Sequence, residues 1–255
     1  IVITTNDANV AAGKTLTVDA TALTDSGATL KFVGSAELDG VFSVTGGAGA
    51  DTITGGFGAD TISGGAGTDS LTGGLGNDSI TGGEGADTIN GGSGADTINL
   101  TESTAAADVV QYGGASWGVQ GDTIIGFAAG AGADTIDVAE ALLVNDDAGD
   151  TSALVEIAAN GATAADRVFF EITTQLSGSL TDATNVAGQL AGITLTGVTA
   201  SDSIMFIVGN ASDSYLWVFA EDATAGIQAG NLTLIGTVQG VAAGGFANGD
   251  FTGQG

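Results

Sequence analysis

Nine-residue periodicity constrains this chain more than any other feature in it. From Gly46 to Asn99 the sequence is six consecutive nonapeptides, beginning at Gly46, Gly55, Gly64, Gly73, Gly82 and Gly91. The first reads GGAGADTIT and the last GGSGADTIN, and all follow Gly-Gly-x-Gly-x-Asp-x-aliphatic-x. The glycines let the chain turn tightly and take left-handed backbone angles. The three residues after each Asp suit a short strand. Its alternation sends Ile53, Ile62, Leu71, Ile80, Ile89 and Ile98 inward and the flanking Thr, Ser and Asn outward. One nonapeptide is then half a coil, and two make a coil of about 18 residues. Parallel strands ordinarily need long crossovers; in a coil each sheet is the return path of the other. We therefore expect an all-β fold, a parallel β-roll (a β-solenoid), followed by an irregular β-rich C-terminal region.

Two other readings of the glycines fail. Flexible Gly-rich linkers do not place an aliphatic residue at every ninth position. The dinucleotide fingerprint GxGxxG needs a strand–helix context, and it does not repeat an acid each time.

The sixth position recurs as Asp51, Asp60, Asp69, Asp78, Asp87 and Asp96. Carboxylates, with backbone carbonyls made accessible by glycine, are hard oxygen donors that suit calcium and not zinc or copper. The charge balance points the same way. Three basic residues, Lys14, Lys31 and Arg167, stand against 30 acidic ones, for a net charge of −27. Such a surface repels nucleic acid and anionic membranes and attracts divalent cations. Like-charge repulsion should leave the roll expanded until cations fill its turns. With no Cys there is no disulfide to staple the chain, and with no His the Ser–His triads and nearly all zinc and haem sites are excluded. No apolar run approaches the roughly 18 residues of a membrane helix.

The six nonapeptides resemble the RTX (repeats-in-toxin) family. The resemblance implies that calcium sits between a turn and the turn two repeats later. Its ligands would be carbonyls at the second and fourth positions and the Asp carboxylate. Gly47, Gly49 and Asp51 would then pair with Gly65, Gly67 and Asp69. Gly56, Gly58 and Asp60 would pair with Gly74, Gly76 and Asp78, and the series would continue through Gly83, Gly85, Asp87 and Gly92, Gly94, Asp96. About four complete sites follow from such sharing.

Around this stretch we divide the chain into four segments. In residues 1–45, IVITT, KTLTVDA, TLKFVG and GVFSVT read as short strands, an irregular solenoid cap at the start of the roll. Residues 46–112 hold the nonapeptide roll. Residues 113–144 read as degenerate repeats that close it. Asp108 with Val109 and Val110, Asp122 with Ile124, and Asp134 with Ile136 keep the acid-then-aliphatic order, which makes these Asp residues candidate further ligands. Asp at a turn is common in any case. VAEALLV, residues 138–144, reads as a short helix over that end. In residues 145–255, LVEIAA, RVFFEITT, GITLTGV, SIMFIVG, SYLWVFA and NLTLIGTV read as strands, GNASDS as a hairpin loop and TNVAGQL as a short helix. Asp213 and Asp222 read as solvent-facing acids at strand ends more than as ligands. This half resembles the C-terminal region of RTX proteins, which implies a signal for type I secretion.

Three functions fit. The first is a secreted, calcium-dependent, self-assembling cell-surface protein. The composition resembles RTX-type S-layer proteins of alphaproteobacteria, and the resemblance implies the type I secretion machinery as export partner, copies of itself as lattice partner and surface polysaccharide as a further contact. The second is the C-terminal calcium-binding or secretion domain of an RTX toxin or hydrolase. We read neither HExxH nor a G-x-S-x-G elbow, and Glu37, Glu102, Glu140, Glu156, Glu171 and Glu221 form no legible catalytic pair. We expect no catalysis by this chain. The third is an adhesin, with Trp117, Trp217 and Tyr215 as a sugar platform, although core packing is the commoner use of such residues.

Overall fold

The structure, a computed structural model, describes residues 1–6, 10–113, 121–130, 133–139, 155–157, 163–165, 169–172, 178–190, 194–196, 203–220, 228, 232–242, 244–246 and 250–254. It divides into two compact units. One is Ile1–Ala128 with Ala133–Ile136, and the other is Ala129–Gly132 with Asp137–Gly255.

The first unit is a parallel β-roll. Strands numbered in chain order alternate between two sheets. One sheet runs β1 (Val2–Thr4), β3 (Lys31–Val33), β5 (Thr52–Thr54), β7 (Ser70–Leu75), β9 (Thr88–Ser93), β11 (Val109–Tyr112) and β13 (Thr135–Ala139). The other runs β2 (Thr15–Asp19), β4 (Val41–Thr45), β6 (Thr61–Ala66), β8 (Ser79–Glu84), β10 (Thr97–Asn99) and β12 (Asp122–Ile125). The register stacks like on like. Phe32, Ile53, Leu71, Ile89 and Val110 are successive partners in the first sheet. Val44, Ile62, Ile80, Ile98 and Ile124 are their counterparts in the second. All of these are at most 1% exposed. Through the repeats, one column of branched aliphatics per sheet supplies the apolar core, and it is why a nonapeptide with a single apolar residue suffices. Where the repeats begin, Phe32 and Phe42 from opposite sheets meet edge to face at 4.9 Å and fill the wider first coils.

The N-terminal strands join the same two sheets: β2 pairs with β4 over five residues, and β4 with β6. At the other end the expected helix over 138–144 is corrected in part. Val138 and Ala139 continue strand β13, and residues 140–144 lie outside the described ones.

The second unit holds β14 (Val155–Ile157), β15 (Thr163–Ala165), β16 (Phe169–Ile172), β17 (Thr194–Thr196), β18 (Ser203–Gly209), β19 (Asp213–Ala220), β20 (Leu232–Gln239), β21 (Phe251–Gln254) and helix α1 (Ala183–Leu190). β18, β19 and β20 form an antiparallel meander, while β16 joins β18 in parallel. The GNASDS loop makes the β18–β19 hairpin. Asn210 Oδ1 accepts the Ser212 and Asp213 amides at 2.8 and 2.9 Å, closing the turn. TNVAGQL lies within α1, where Asp182 Oδ1 caps the first turn by accepting the Thr184 amide at 2.8 Å. No helix among the described residues is long and apolar enough to cross a membrane.

Candidate metal centre

Each repeat Asp stands where a turn becomes a strand, and its two carboxylate oxygens do different things. Oδ1 binds the coil before it. On one side of the roll the amides of Leu30, Asp51, Asp69, Asp87 and Asp108 donate to Oδ1 of Asp51, Asp69, Asp87, Asp108 and Asp134, at 2.7, 2.7, 2.9, 2.8 and 3.0 Å. On the other side Phe42, Asp60, Asp78 and Asp96 donate to Asp60, Asp78, Asp96 and Asp122, at 2.7, 2.7, 2.8 and 2.9 Å. Two columns of aspartate therefore run along the roll, and Asp108, Asp122 and Asp134 stand in them with the repeat residues.

Oδ2 divides the turns into two kinds. In the first two repeats it accepts an amide of its own turn, Gly47 to Asp51 at 2.6 Å and Gly56 to Asp60 at 2.8 Å. In the next four, Oδ2 of Asp69, Asp78, Asp87 and Asp96 is buried with no hydrogen-bond partner. The backbone changes at the same place. Gly65, Gly67, Gly74, Gly76, Gly83, Gly85, Gly92 and Gly94 have φ between +103° and +137°, whereas Gly47, Gly49, Gly56 and Gly58 do not adopt positive φ. Left-handed glycine thus accompanies the loss of the amide that would otherwise occupy Oδ2. A buried carboxylate oxygen without a partner is costly.

For Asp69 and Asp78, the first glycine of the repeat shows what that oxygen faces. A Cβ on Gly64 would stand 2.3 Å from Asp69 Oδ2 and 2.5 Å from the Gly82 carbonyl oxygen. On Gly73 it would stand 2.2 Å from Asp78 Oδ2 and 2.4 Å from the Gly91 oxygen. Carboxylate and carbonyl of successive coils flank a space that only glycine leaves open. Hard oxygen donors around such a space fit a calcium ion, which takes six to eight of them. Among the described residues no group of three Asp, Glu, His or Cys side chains is placed to hold a metal alone, so carbonyls must complete any shell.

The electrostatics agree. Burial pushes Asp69 and Asp78 up to about 7, only partly offset by the amides of Asp51 and Asp60, and their column neighbours push the same way. Asp108 and Asp122 also rise to about 7 and Asp87 to about 6, burial again being the main cause. No Lys or Arg lies between residues 31 and 167 to balance them.

Residues 43–71 and 63–98 match the family model of the RTX calcium-binding nonapeptide repeat, a four-copy pattern. These are RTX repeats. The match spans a minority of the 255-residue chain. No curated protein and no solved structure matches the chain.

The RTX turns place the expected residues as follows. The second- and fourth-position glycines lie at the contact between coils. The carbonyls of Gly47 and Gly56 accept the Ala66 and Leu75 amides at 2.8 and 2.9 Å, and a Cβ on Gly65 or Gly74 would come within 2.3 Å of them. The carbonyl beside the unpartnered carboxylate is that of the first position, as in Gly82 and Gly91, which the sequence reading did not include. The signal for it was there: the first position is glycine in all six repeats.

Other candidates fare differently. Trp217 is 2% exposed, with Nε1 donating to the Leu180 carbonyl at 3.1 Å, so it is core and no sugar platform. Trp117 and Asp222 lie outside the described residues, as do Glu140 and Glu221. Asp213 Oδ1 accepts the Gly240 amide at 3.1 Å and Oδ2 the Ser212 hydroxyl at 2.8 Å, a structural use of an acid at a strand end. One reading needs correction on its letters: Gly114-Ala115-Ser116-Trp117-Gly118 does spell G-x-S-x-G. It falls outside the described residues, and a chain without His has no imidazole to activate its serine.

Proposed function

We propose that this protein is a secreted, calcium-dependent structural protein of the cell surface that assembles with copies of itself in the manner of an S-layer. The observation that carries the calcium part is the column of buried, unpartnered Asp oxygens in the RTX turns. The chain stays unfolded where calcium is scarce, which keeps it competent for export through type I secretion. Outside, calcium fills the turns at the roughly 10⁻⁴ to 10⁻³ M affinities of extracellular modules and folding follows. Neutralising the aspartate columns also removes much of the repulsion that would keep a chain of net charge −27 from packing against another copy.

Electron microscopy of the purified chain tests this. Ordered sheets or filaments in millimolar calcium that disperse in chelator are expected. A calcium-loaded chain that stays monomeric at high concentration contradicts self-assembly and favours the reading as an RTX module of an adhesin, toxin or hydrolase.

A further inference from the structure

The first position of each repeat is the place from which a side chain would enter the cradle beside the Asp carboxylate. At all six glycines, Gly46 to Gly91, a Cβ would stand between 2.2 and 2.6 Å from Oδ2 of the Asp in its own turn. The residue that takes this position beyond the repeats therefore governs whether an ion fits there. The ladder identifies it on each side of the roll. Ile98 pairs with Ile80, so two residues on Leu100 falls at the place of Gly82. Val110 pairs with Ile89, so Tyr112 falls at the place of Gly91. Strand alternation gives each the inward face of its buried neighbour two residues earlier, Ile98 or Val110. Leu100 is 2% exposed. The Tyr112 hydroxyl is buried beside the Asp122 carboxylate, close to it but outside hydrogen-bonding geometry.

Asp108 and Asp122, the aspartates of these two turns, keep only half of the repeat pattern. Their Oδ1 atoms accept the Asp87 and Asp96 amides at 2.8 and 2.9 Å, as a repeat Asp would. The other half is missing. Among the described residues of the two columns, the buried Oδ2 atoms without a partner are those of Asp69, Asp78, Asp87 and Asp96. One coil later the first position is glycine again, since Ile124 pairs with Ile98 and Gly126 falls at the place of Leu100. A Cβ on Gly126 would meet Thr101 Oγ1 first, at 2.6 Å, and Asp134 Oδ2 already accepts the Ala128 amide at 2.8 Å.

We propose that Leu100 and Tyr112 end the calcium columns. Each fills the cradle of its turn, so Asp108 and Asp122 hold the backbone of the preceding coil and take no ion. Calcium is then confined to the turns of Asp69, Asp78, Asp87 and Asp96. The chemistry supports the exclusion. Calcium needs six to eight oxygen ligands; an isobutyl group offers none and occupies their space. A phenol in this place stays neutral, because burial, then the charges of Asp122 and Asp96, hold it well above its ordinary range. The other end of the columns is bounded differently, by the Gly47 and Gly56 amides on Oδ2 of Asp51 and Asp60. The number of ions is thus set by what occupies each cradle and not by the number of stacked aspartates. The inference rests on calcium binding by the RTX turns, and it reverses the expectation that Asp108, Asp122 and Asp134 are further ligands.

Calorimetric counting of the calcium bound by the full chain tests this, with circular dichroism to establish that each variant folds in saturating calcium. Asp122→Asn and Asp108→Asn keep an acceptor for the Asp96 and Asp87 amides. They should bind as many ions as wild type, with affinities within about threefold. Asp96→Asn and Asp87→Asn should each weaken one site by about tenfold or more. Loss of an ion in Asp122→Asn or Asp108→Asn overturns the proposal and leaves the RTX reading intact. A wild type that binds no calcium overturns the RTX reading itself. Tyr112→Gly restores the repeat residue and should gain an ion, which addition of Asp122→Asn removes again. Tyr112→Phe keeps the ring and should gain none. Leu100→Gly makes the same test on the other side, with Asp108→Asn as its partner. A folded Tyr112→Gly and a folded Leu100→Gly that both keep the wild-type count show that these side chains do not exclude the ion, and the proposal is wrong.

Discussion

The amide of Asp87 donates to Oδ1 of Asp108 at 2.8 Å, the contact that Asp69 makes to Asp87 at 2.9 Å. The three extra residues before Asp108 are absorbed in the turn. The strand that follows stays in register, with Ile89 opposite Val110. The roll therefore depends on two fixed points per half coil, a carboxylate at the turn and an aliphatic two residues on, and it tolerates insertions between them. The same holds for Asp96 and Asp122, which are 26 residues apart.

Charge and hydrogen bonding at the columns separate in one substitution. Asp78→Asn keeps an acceptor for the Asp60 amide but removes the charge that faces the Gly91 carbonyl. We expect calcium affinity to fall by about tenfold or more while the metal-free chain is no less stable than wild type. Asp51→Ala should instead lower stability by about 1–3 kcal/mol both in saturating calcium and in chelator at pH 5, because it strands the buried Leu30 amide and the Gly47 amide. Asp96, although in the last repeat, has an unpartnered Oδ2 and should behave like Asp78. Parallel titrations and chemical denaturation check all three; identical behaviour of Asp51→Ala and Asp78→Asn argues against two kinds of turn.

The metal-free roll should prefer acid. Asp69 and Asp78 titrate near 7 in the folded chain, while an unfolded Asp titrates near 3.9. Between those values the folded state holds protons that the unfolded state has lost. Stability from these groups is complete below about pH 4 and is lost as pH rises through about 7. In chelator, the roll should therefore keep its β structure and melt at a higher temperature at pH 5 than near neutrality, with little of it folded at pH 8. Calcium competes with those protons, so its affinity should rise over the same interval. A midpoint in chelator that climbs with pH would contradict the burial of these carboxylates.

Glycines of the RTX turns should not be interchangeable with glycines elsewhere. Gly73→Ala places a methyl group between Asp78 Oδ2 and the Gly91 oxygen and should abolish binding at that turn. Gly74→Ala combines φ +120° with a contact of 2.3 Å to the Gly56 oxygen and should destabilise the calcium-loaded roll by about 1–3 kcal/mol. Gly13→Ala, at φ +67° in open space, should cost the least of the three. Calcium binding and thermal melts of the three variants provide the check.

Glu37 is fully buried beside Gly40 and Val10, and neither carboxylate oxygen has a partner. Replacing it with an apolar residue of similar volume removes that desolvation cost. Glu37→Met should raise the denaturation midpoint by an amount corresponding to about 1–3 kcal/mol. A lowered midpoint would mean that Glu37 has a stabilising partner in solution.

Much of the roll was legible because its signal is redundant. Six copies place an Asp and an aliphatic at the same spacing, so Ile53 or Asp60 need not be judged alone. Asp108, Asp122 and Asp134 were legible by the aliphatic that follows each at two residues. The contact of the Glu102 carboxylate with the Gly85 amide was not, because one residue in one inserted loop has no repeat to reveal it. The first-position carbonyls were missed for a related reason: a carbonyl belongs to every residue, and only the cradle around the first glycine, at Gly46, Gly55, Gly64 and Gly73 alike, shows which one faces a carboxylate. VAEALLV has a helical pattern, yet Val138 and Ala139 are strand. The ladder begun at Asp134 and Thr135, whose amide donates to the Asp108 carbonyl at 2.8 Å, carries the chain on as β structure. In the second unit, six segments and the hairpin were readable from alternation, but the parallel pairing of β16 with β18 was not, since alternation says nothing about partners.

Far-UV circular dichroism of the chain at pH 7.5 in excess chelator, followed by return of calcium, tests the central claim most directly. Cations between the stacked coils are predicted to hold the acidic roll together, so the β signal should collapse in chelator and recover as calcium is restored. A spectrum and melting temperature that do not change on chelation would contradict the claim.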